Sequence, residues 1–281
     1  MRKLIKSFNY VNLKRFQRKL FIFVRLQKYR FLLRYFIELS YNGKAYHGWQ
    51  NQPDAISVQQ VIEEALTMLL KEEISIVGAG RTDAGVHASK MFAHFDSSEI
   101  QEDNLIFKLN SFLPKDIAIH DIFEVNSEVH ARFDATSRTY NYRIALRKNA
   151  FNYDYTYALH KTLDIDLMNE ACHILFEYSD FQCFSKSNTD VKTYYCDIKE
   201  ARWSINSDEL IFVIKADRFL RNMVRAIVGT LINIGLNKIP LQSLHEIIQS
   251  KDRRKAGYSV PAHGLYLVDI EYPEHIKQIT N

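Results

Sequence analysis

One short stretch of the sequence, GAGRTDAGVHA at residues 78–88, concentrates residue types that can do chemistry. It holds three glycines, one arginine, one aspartate and one histidine in eleven positions. The glycine spacing matches neither GxGxxG nor GxxxxGK[ST], and an aspartate inside such a loop would repel a phosphate group. A phosphate-binding loop is therefore disfavoured.

A metal site is the second interpretation of this stretch. Asp83, His87, His94 and Asp96 are residue types that bind metal ions, but no HExxH or HxH cluster accompanies them. A lone DxxxH spacing is a weak signal. A metal-dependent hydrolase using Asp83, His87 and His94 is therefore a minor hypothesis.

The third interpretation is a single reactive carboxylate, Asp83, with Arg81 as an orienting or RNA-contacting cation. Glycines would let a planar substrate approach the backbone closely. A carboxylate beside an aromatic substrate in a dry pocket has a raised pKa, and it needs a neighbouring cation to stay ionised. The simpler alternative is that Asp83 caps a turn and Arg81 forms a surface ion pair. The stretch by itself leaves both open.

The elements around this stretch predict an α+β fold. Residues 34–41 alternate like a strand, and Ser57 with Gln60 predicts the start of an amphipathic helix. Further strands are predicted at 74–77, 91–95, 138–146, 194–204, 210–216 and 265–272. Helices are predicted at 104–113, 166–178, 218–236 and 241–250. The two similar cycles predict two antiparallel-sheet domains, residues 34–150 and 151–281, with helices packed on the sheets.

Composition excludes several function classes. The 281 residues are 47% hydrophobic and 25% charged, as in ordinary globular proteins. Residues 1–37 contain 11 Lys and Arg and no acidic residue, so the remainder, with 26 basic and 33 acidic residues, carries a net charge of −7. A uniformly basic nucleic-acid-binding body is therefore excluded, although local basic patches remain open. Three cysteines without CxxC spacing favour a reducing compartment, and we expect the cytoplasm.

The basic N-terminal extension, residues 1–33, has an apolar run of only Leu20–Val24. That run is too short for a signal-peptide core or a membrane span. A solvated or wrongly assigned leader is the simplest interpretation. An RNA-contacting arm and an organellar transit peptide are the alternatives.

Five separated segments resemble the tRNA pseudouridine synthase A family, in the order found in that family. They are YNGKAYHGWQ (41–50), GAGRTDAGVHA (78–88), VHARFDATSRTYNYR (129–143), DRFLRNMVRAIVGTL (217–231) and GLYLVDIEYP (264–273). The resemblance extends over about residues 34–273 and is thin at 147–160 and 183–195. It implies two ferredoxin-like halves with a catalytic cleft between them.

The resemblance also implies a reaction: a uracil is released from the ribose C1′, turned in the pocket and rejoined through C5. Asp83 falls on the family's catalytic aspartate. Attack on C1′ and removal of a ribose proton both stay open as its role. Tyr140 falls on the tyrosine that stacks on the flipped uracil, where C5 deprotonation is a further role. Arg225 falls on the cation that pairs with the aspartate.

The remaining implications concern the substrate and the assembly. The family implies a homodimer that binds the anticodon arm of tRNA and modifies uridines 38, 39 and 40, without a cofactor or metal. The predicted RNA contacts are Arg81, Arg132, Arg138, Arg218 and Arg221, with weaker expectations for His130, Tyr46 and Trp49. Modification of uridines elsewhere or in another RNA, and a non-catalytic RNA-binding relative, are the alternatives.

A helix over 218–236 would place Arg218, Arg221 and Arg225 within roughly 60° of one another. Leu220, Met223, Val224, Ile227 and Leu231 would face the core. We therefore expect an arginine stripe lining the cleft, with Arg225 innermost.

Overall fold

A computed structural model of the protein describes residues 32–187 and 191–277. Within these residues the strands are β1 (Leu33–Tyr41), β2 (Val77–Gly78), β3 (His87–Ser97), β4 (Ile117–Val125), β5 (Ser137–Ala145), β6 (Tyr157–Ala158), β7 (Ile198–Asn206), β8 (Glu209–Ala216) and β9 (Leu265–Glu271). The helices are α1 (Val58–Leu70), α2 (Glu102–Phe112), α3 (Ile165–Leu175), α4 (Met223–Gly235) and α5 (Ser243–Ser250). The predicted α+β class is confirmed.

The strands form one sheet in the order β4-β1-β3-β9-β5-β8-β7, with β2 beside β3 and β6 beside β5. β4-β1-β3 is antiparallel, and so is β9-β5-β8-β7. A short parallel contact joins the two parts, pairing His87 with Tyr266 and Ala88 with Leu267. The segment that leads into β3 therefore lies where the two halves of the sheet meet.

Two hydrophobic cores lie on this sheet. The N-terminal core combines β1, β3 and β4 with α1 and α2, and the C-terminal core combines β5, β7 and β8 with α3, α4 and α5. Tyr140 of β5 contacts both cores. Leu267 and Ile270 of β9 belong to the N-terminal core, although β9 pairs with β5 along its length. The last strand, β9, therefore connects the two halves of the sheet.

The predicted start of α1 is confirmed at Ser57, whose hydroxyl accepts a hydrogen bond from the Gln60 amide at 3.1 Å. This bond satisfies one of the amides that the first helical turn leaves without a partner. Val58, Ile62, Ala65 and Leu66 form the buried face.

Three strands differ most from prediction. The strand predicted at 74–77 pairs only at Val77–Gly78, and β4 and β6 lie in stretches where the sequence predicts no strand. In β4 the exposed neighbours His120 and Asp121 interrupt the alternation, next to a bulge opposite Glu38 and Leu39. A bulge breaks the two-residue period on which strand prediction depends.

The N-terminal extension lies almost wholly outside the described residues, so the alternatives for it stay predictions. In residues 32–187 and 191–277, no helix has the length and apolar character needed to cross a membrane.

Candidate active site

Asp83 lies in the loop between β2 and β3, with its side chain 26% exposed. The Val86 amide donates to the Asp83 carbonyl at 3.1 Å and closes a tight turn. Gly85 within this turn has a φ of 77°, a conformation that disfavours other residues. The turn holds the carboxylate at the junction of the sheet halves.

A second segment supports this loop from the N-terminal core. The Trp49 amide donates to the Thr82 carbonyl at 3.3 Å, and the Gly85 amide donates to the Tyr46 carbonyl at 3.4 Å. The hydroxyls of Tyr41 and Thr82 lie 2.8 Å apart in a hydrogen bond. Tyr46 and Trp49 are only 6% and 2% exposed, which makes them core aromatics beneath the loop.

Gly78 and Gly80, which precede Arg81, differ in how closely other atoms approach them. A Cβ at Gly78 would lie 2.4 Å from the Trp49 indole nitrogen, so the strand and indole need a glycine there. A Cβ at Gly80 would have nothing within 4 Å. Gly80 is therefore the position where the backbone borders open space next to Arg81.

Two arginines lie against the Asp83 carboxylate. Arg225 Nη1 is 3.2 Å from Oδ2, and Arg221 Nε is 3.8 Å from Oδ1. Arg225 is 20% exposed and Arg221 is 59% exposed. Arg225 Nε also donates to the Val260 carbonyl at 2.7 Å, which fixes the guanidinium from behind. Both guanidinium groups therefore lie within ion-pair distance of the partly exposed Asp83 carboxylate.

The helix predicted over 218–236 is wrong in its first part, because α4 begins only at Met223. Asn222 has a φ of 68°, a left-handed conformation that asparagine tolerates and that interrupts a helix. Arg218 and Arg221 therefore lie on a loop, and the predicted stripe on one helix does not exist. Arg221 reaches Asp83 because the loop bends, whereas Arg225 reaches it from the helix.

Tyr140 lies close enough to Asp83 for the charge of the carboxylate to act on the phenol. Its ring meets the Phe219 ring edge-on at a centroid distance of 5.2 Å. Burial raises the pKa of Tyr140 to about 12, with the Asp83 charge contributing in the same direction and the Arg138 charge opposing it. The phenol is therefore neutral at pH 7.

Arg138 departs from the expectation of an RNA contact. Its Nη1 donates to the carbonyls of Ala135 at 2.9 Å and Asp217 at 2.8 Å. Its Nη2 donates to the carbonyls of Ala79 at 3.0 Å and Arg132 at 2.6 Å. The terminal N–H groups are thus engaged inside the protein, which favours a positioning role.

Arg81, Arg132 and Arg218 form a basic rim near the loop. Burial lowers the pKa of Arg132, and the positive charges of Arg81 and Arg218 lower it further. No ion pair with a carboxylate involves these three arginines within the described part of the chain. Phe133, beside Arg132, is 74% exposed and was not predicted as a site residue. An exposed aromatic next to arginine in HARF was the available signal.

The histidines of the metal hypothesis serve as hydrogen-bond acceptors. His87 Nδ1 accepts from the Gly43 amide at 3.1 Å, and His94 Nδ1 accepts from the Ala131 amide at 3.1 Å. Burial, with the charge of Arg34, lowers the pKa of His94 to about 4. Among residues 32–187 and 191–277, no three His, Cys, Asp or Glu side chains are grouped to hold a metal ion. This geometry gives the metal hypothesis no support.

Comparison with known proteins is consistent with the geometry. A family profile described as tRNA pseudouridine synthase matches residues 39–134 and 178–273. The chain belongs to this family. The tRNA pseudouridine synthase A of Parabacteroides distasonis is 55% identical over 246 residues, covering 86% of this chain and 97% of that protein. The protein of the same name from Bacteroides thetaiotaomicron is 49% identical over 247 residues, covering 86% and 92%.

More distant relatives share the name. The tRNA pseudouridine synthase A of Aliivibrio salmonicida is 38% identical over 240 residues, covering 84% of this chain and 91% of that protein. The predicted family is therefore confirmed, and so is the prediction of an isomerase.

Proposed function

We propose that this protein converts uridine to pseudouridine at positions 38, 39 and 40 in the anticodon arm of tRNA, with Asp83 as the nucleophile. The carboxylate attacks the ribose C1′ and the bond from C1′ to N1 breaks. The released uracil turns, C5 bonds to C1′ as the bond from C1′ to the Asp83 oxygen breaks and frees the carboxylate, and the C5 proton is lost while N1 gains one. The supporting observation is the Asp83 carboxylate held between Arg225 and Arg221.

We assign the pairing cation to Arg225, because the Val260 carbonyl and Asp83 fix its two ends. An arginine held in this way keeps a charge beside the carboxylate without needing to reorganise during the reaction. Arg221 is more exposed and lies farther from the carboxylate, which suits an RNA-facing position.

Tyr140 is assigned to the stack on the uracil and to assistance in C5 deprotonation. Enzymes that act on a base extrude it from the stack and hold it against aromatic side chains. The contact of Tyr140 with Phe219 fixes the plane of its ring. The neutral phenol would meet the uracil without adding a charge beside Asp83.

The basic rim of Arg81, Arg132 and Arg218 supports binding of an RNA backbone. Phosphate contacts by arginine position a nucleic acid and make binding dependent on salt. Gly80, at the open part of the loop, lies next to Arg81 and would admit a flipped nucleotide. A net-negative body can hold tRNA in this way if its arginines line one cleft.

Three further expectations stay predictions: the homodimer, the cytoplasmic location and the domain division near residue 150. Two functional alternatives also stay open, namely the same chemistry on other uridines or another RNA, and an RNA-binding relative without catalysis.

An Asp83→Asn variant tests the proposal. We expect the wild-type protein to form pseudouridine at positions 38–40 of unmodified tRNA transcripts without added nucleotide or metal, and Asp83→Asn to form none. Asp208→Asn is the control, because Asp208 is an exposed partner of Arg147 in a surface ion pair. Turnover by Asp83→Asn within tenfold of wild type would contradict the role of Asp83.

Mapping of the modified positions separates the alternatives. Pseudouridine at other positions would indicate the same chemistry on a different target. Wild-type protein that binds tRNA and forms no pseudouridine would indicate the non-catalytic relative.

A further inference from the structure

Arg138 sits at a point where three loops meet. It lies on β5, two residues before Tyr140, and strand alternation places both side chains on one face. Each of its terminal nitrogens donates two hydrogen bonds, all to backbone carbonyls at 2.6–3.0 Å. These bonds use every hydrogen on the two terminal nitrogens.

The four carbonyls belong to the segments that carry the basic rim. Ala79 precedes Gly80 and Arg81 in the loop of Asp83. The Arg132 and Ala135 carbonyls belong to the turn between β4 and β5. Asp217 follows β8 and immediately precedes Arg218. One guanidinium therefore joins the loop that carries Asp83 to the two other segments bearing rim arginines.

The rim needs such a link because its charges repel one another. Arg81 and Arg218 are both close enough to Arg132 to lower its pKa. Like charges that close favour spreading of the three segments. Four charge-assisted hydrogen bonds to one rigid, planar group oppose that spreading.

No other amino-acid side chain can make these four hydrogen bonds. Lysine has three donors on one nitrogen and lacks the planar fork that matches carbonyls on separate segments. Ala79 is 1% exposed, so water cannot readily satisfy its carbonyl once the arginine is removed.

We propose that Arg138 is a positioning residue that holds the Asp83 loop and the rim arginines in register, and that it does not itself contact the RNA. The inference rests on the proposed function, because it concerns the rate of that reaction. The inference predicts that turnover depends on the hydrogen-bonding geometry of the Arg138 side chain and not on its positive charge.

Arg138→Met and Arg138→Lys test the inference together. At saturating tRNA, we expect both variants to form pseudouridine about 100-fold more slowly than wild type, because small misplacements of reacting groups have effects of that size. The two rates should agree within a few-fold, since lysine keeps the charge and loses the fork. Thermal unfolding and circular dichroism give the folded fraction, to which each rate is normalised.

Arg143→Met is the matched control. Arg143 is also half-buried on β5, but it lies on the opposite strand face, with its guanidinium 4.6 Å from the Tyr266 ring centre. Its loss should lower stability without a comparable loss of rate. If Arg138→Met does not fold, Arg138→Gln, which retains two donors, replaces it in the comparison.

Three outcomes would overturn the inference. Near-wild-type rates for Arg138→Lys beside a slow Arg138→Met would indicate a direct phosphate contact. Rates that recover fully after normalisation to the folded fraction would indicate a purely structural residue. A wild-type protein that forms no pseudouridine would overturn the proposed function, and the inference with it.

Discussion

Replacing Arg225 with methionine removes the closer of the two cations that lie against Asp83. The pair spans 3.2 Å between Nη1 and Oδ2. At an effective dielectric constant of about 20, two unit charges at that distance interact by roughly 5 kcal/mol. Because both side chains are 20–26% exposed, water screens part of this energy.

Arg221 offsets a further part of the loss. Its Nε lies 3.8 Å from Oδ1 and remains in the variant, although it is 59% exposed. If about half of the interaction survives screening and this compensation, the variant loses roughly 2–3 kcal/mol of the energy that holds the Asp83 carboxylate in place. Where that energy serves to hold Asp83 in the geometry of the transition state, its loss corresponds to a fall in kcat of about 30- to 150-fold.

The assay is tritium release from tRNA labelled at C5 of uridine, measured at saturating tRNA so that kcat is separated from KM. Arg225→Lys should lie between wild type and Arg225→Met, because it keeps a charge but not the paired bonds to Val260 and Asp83. Arg147→Met is the control, since it removes the exposed ion pair with Asp208.

A folded Arg225→Met protein with kcat within threefold of wild type would contradict this role of Arg225. Such a result would mean that Arg221 alone holds the Asp83 carboxylate in position, or that no cation is needed for this. An unchanged kcat with a raised KM would instead assign Arg225 to binding of the RNA.

Two further predictions concern the loop and the fold. Gly48→Ala should destabilise the protein by about 1–3 kcal/mol and slow turnover, because Gly48 has a φ of 90° and a Cβ there would lie 2.3 Å from the Thr82 carbonyl oxygen. Gly80→Ala, whose Cβ meets open space, should leave the melting temperature nearly unchanged; a comparable loss of stability in both would contradict this account. For His94, the folded-state pKa of about 4 lies below the ordinary value of 6.5, so its contribution to stability is complete above pH 6.5 and is lost as the pH falls towards 4. We expect the free energy of unfolding, measured with urea, to fall by about 2–3 kcal/mol across this range because His94 becomes protonated. His94→Asn should make this fall shallower. An equally steep fall in the variant would assign the pH dependence to other groups.

The sequence predicts most elements from local signals. Ser57 with Gln60 marks the start of α1 because capping depends on residues within one helical turn. The alternation of Tyr140, Tyr142 and Ile144 indicates β5 for the same local reason. β4 escapes prediction because its bulge and its exposed pair of residues disturb that alternation.

Sequence patterns misplace the start of α4 for a different reason. The residues from Arg218 to Asn222 have a helical periodicity of charge and apolarity, but Asn222 adopts a left-handed conformation. Its side-chain amide donates to the Ser259 hydroxyl at 2.7 Å, and the Arg218 amide donates to the Asp217 carboxylate. The Ser259 contact comes from a distant part of the chain, the Asp217 contact is local, and together they outweigh the weak helical preference of the segment.

The family, the α+β class and the loop that carries Asp83 can be predicted from the sequence alone, because these depend on residue types and on short spacings. The contacts that each arginine makes become visible only in the folded chain. Arg225 and Arg221 approach Asp83 from a helix and a loop, whereas Arg138 is turned inward onto four carbonyls. Arginines look alike in a sequence, and their contacts differ in the fold because their burial and the acceptors within reach differ.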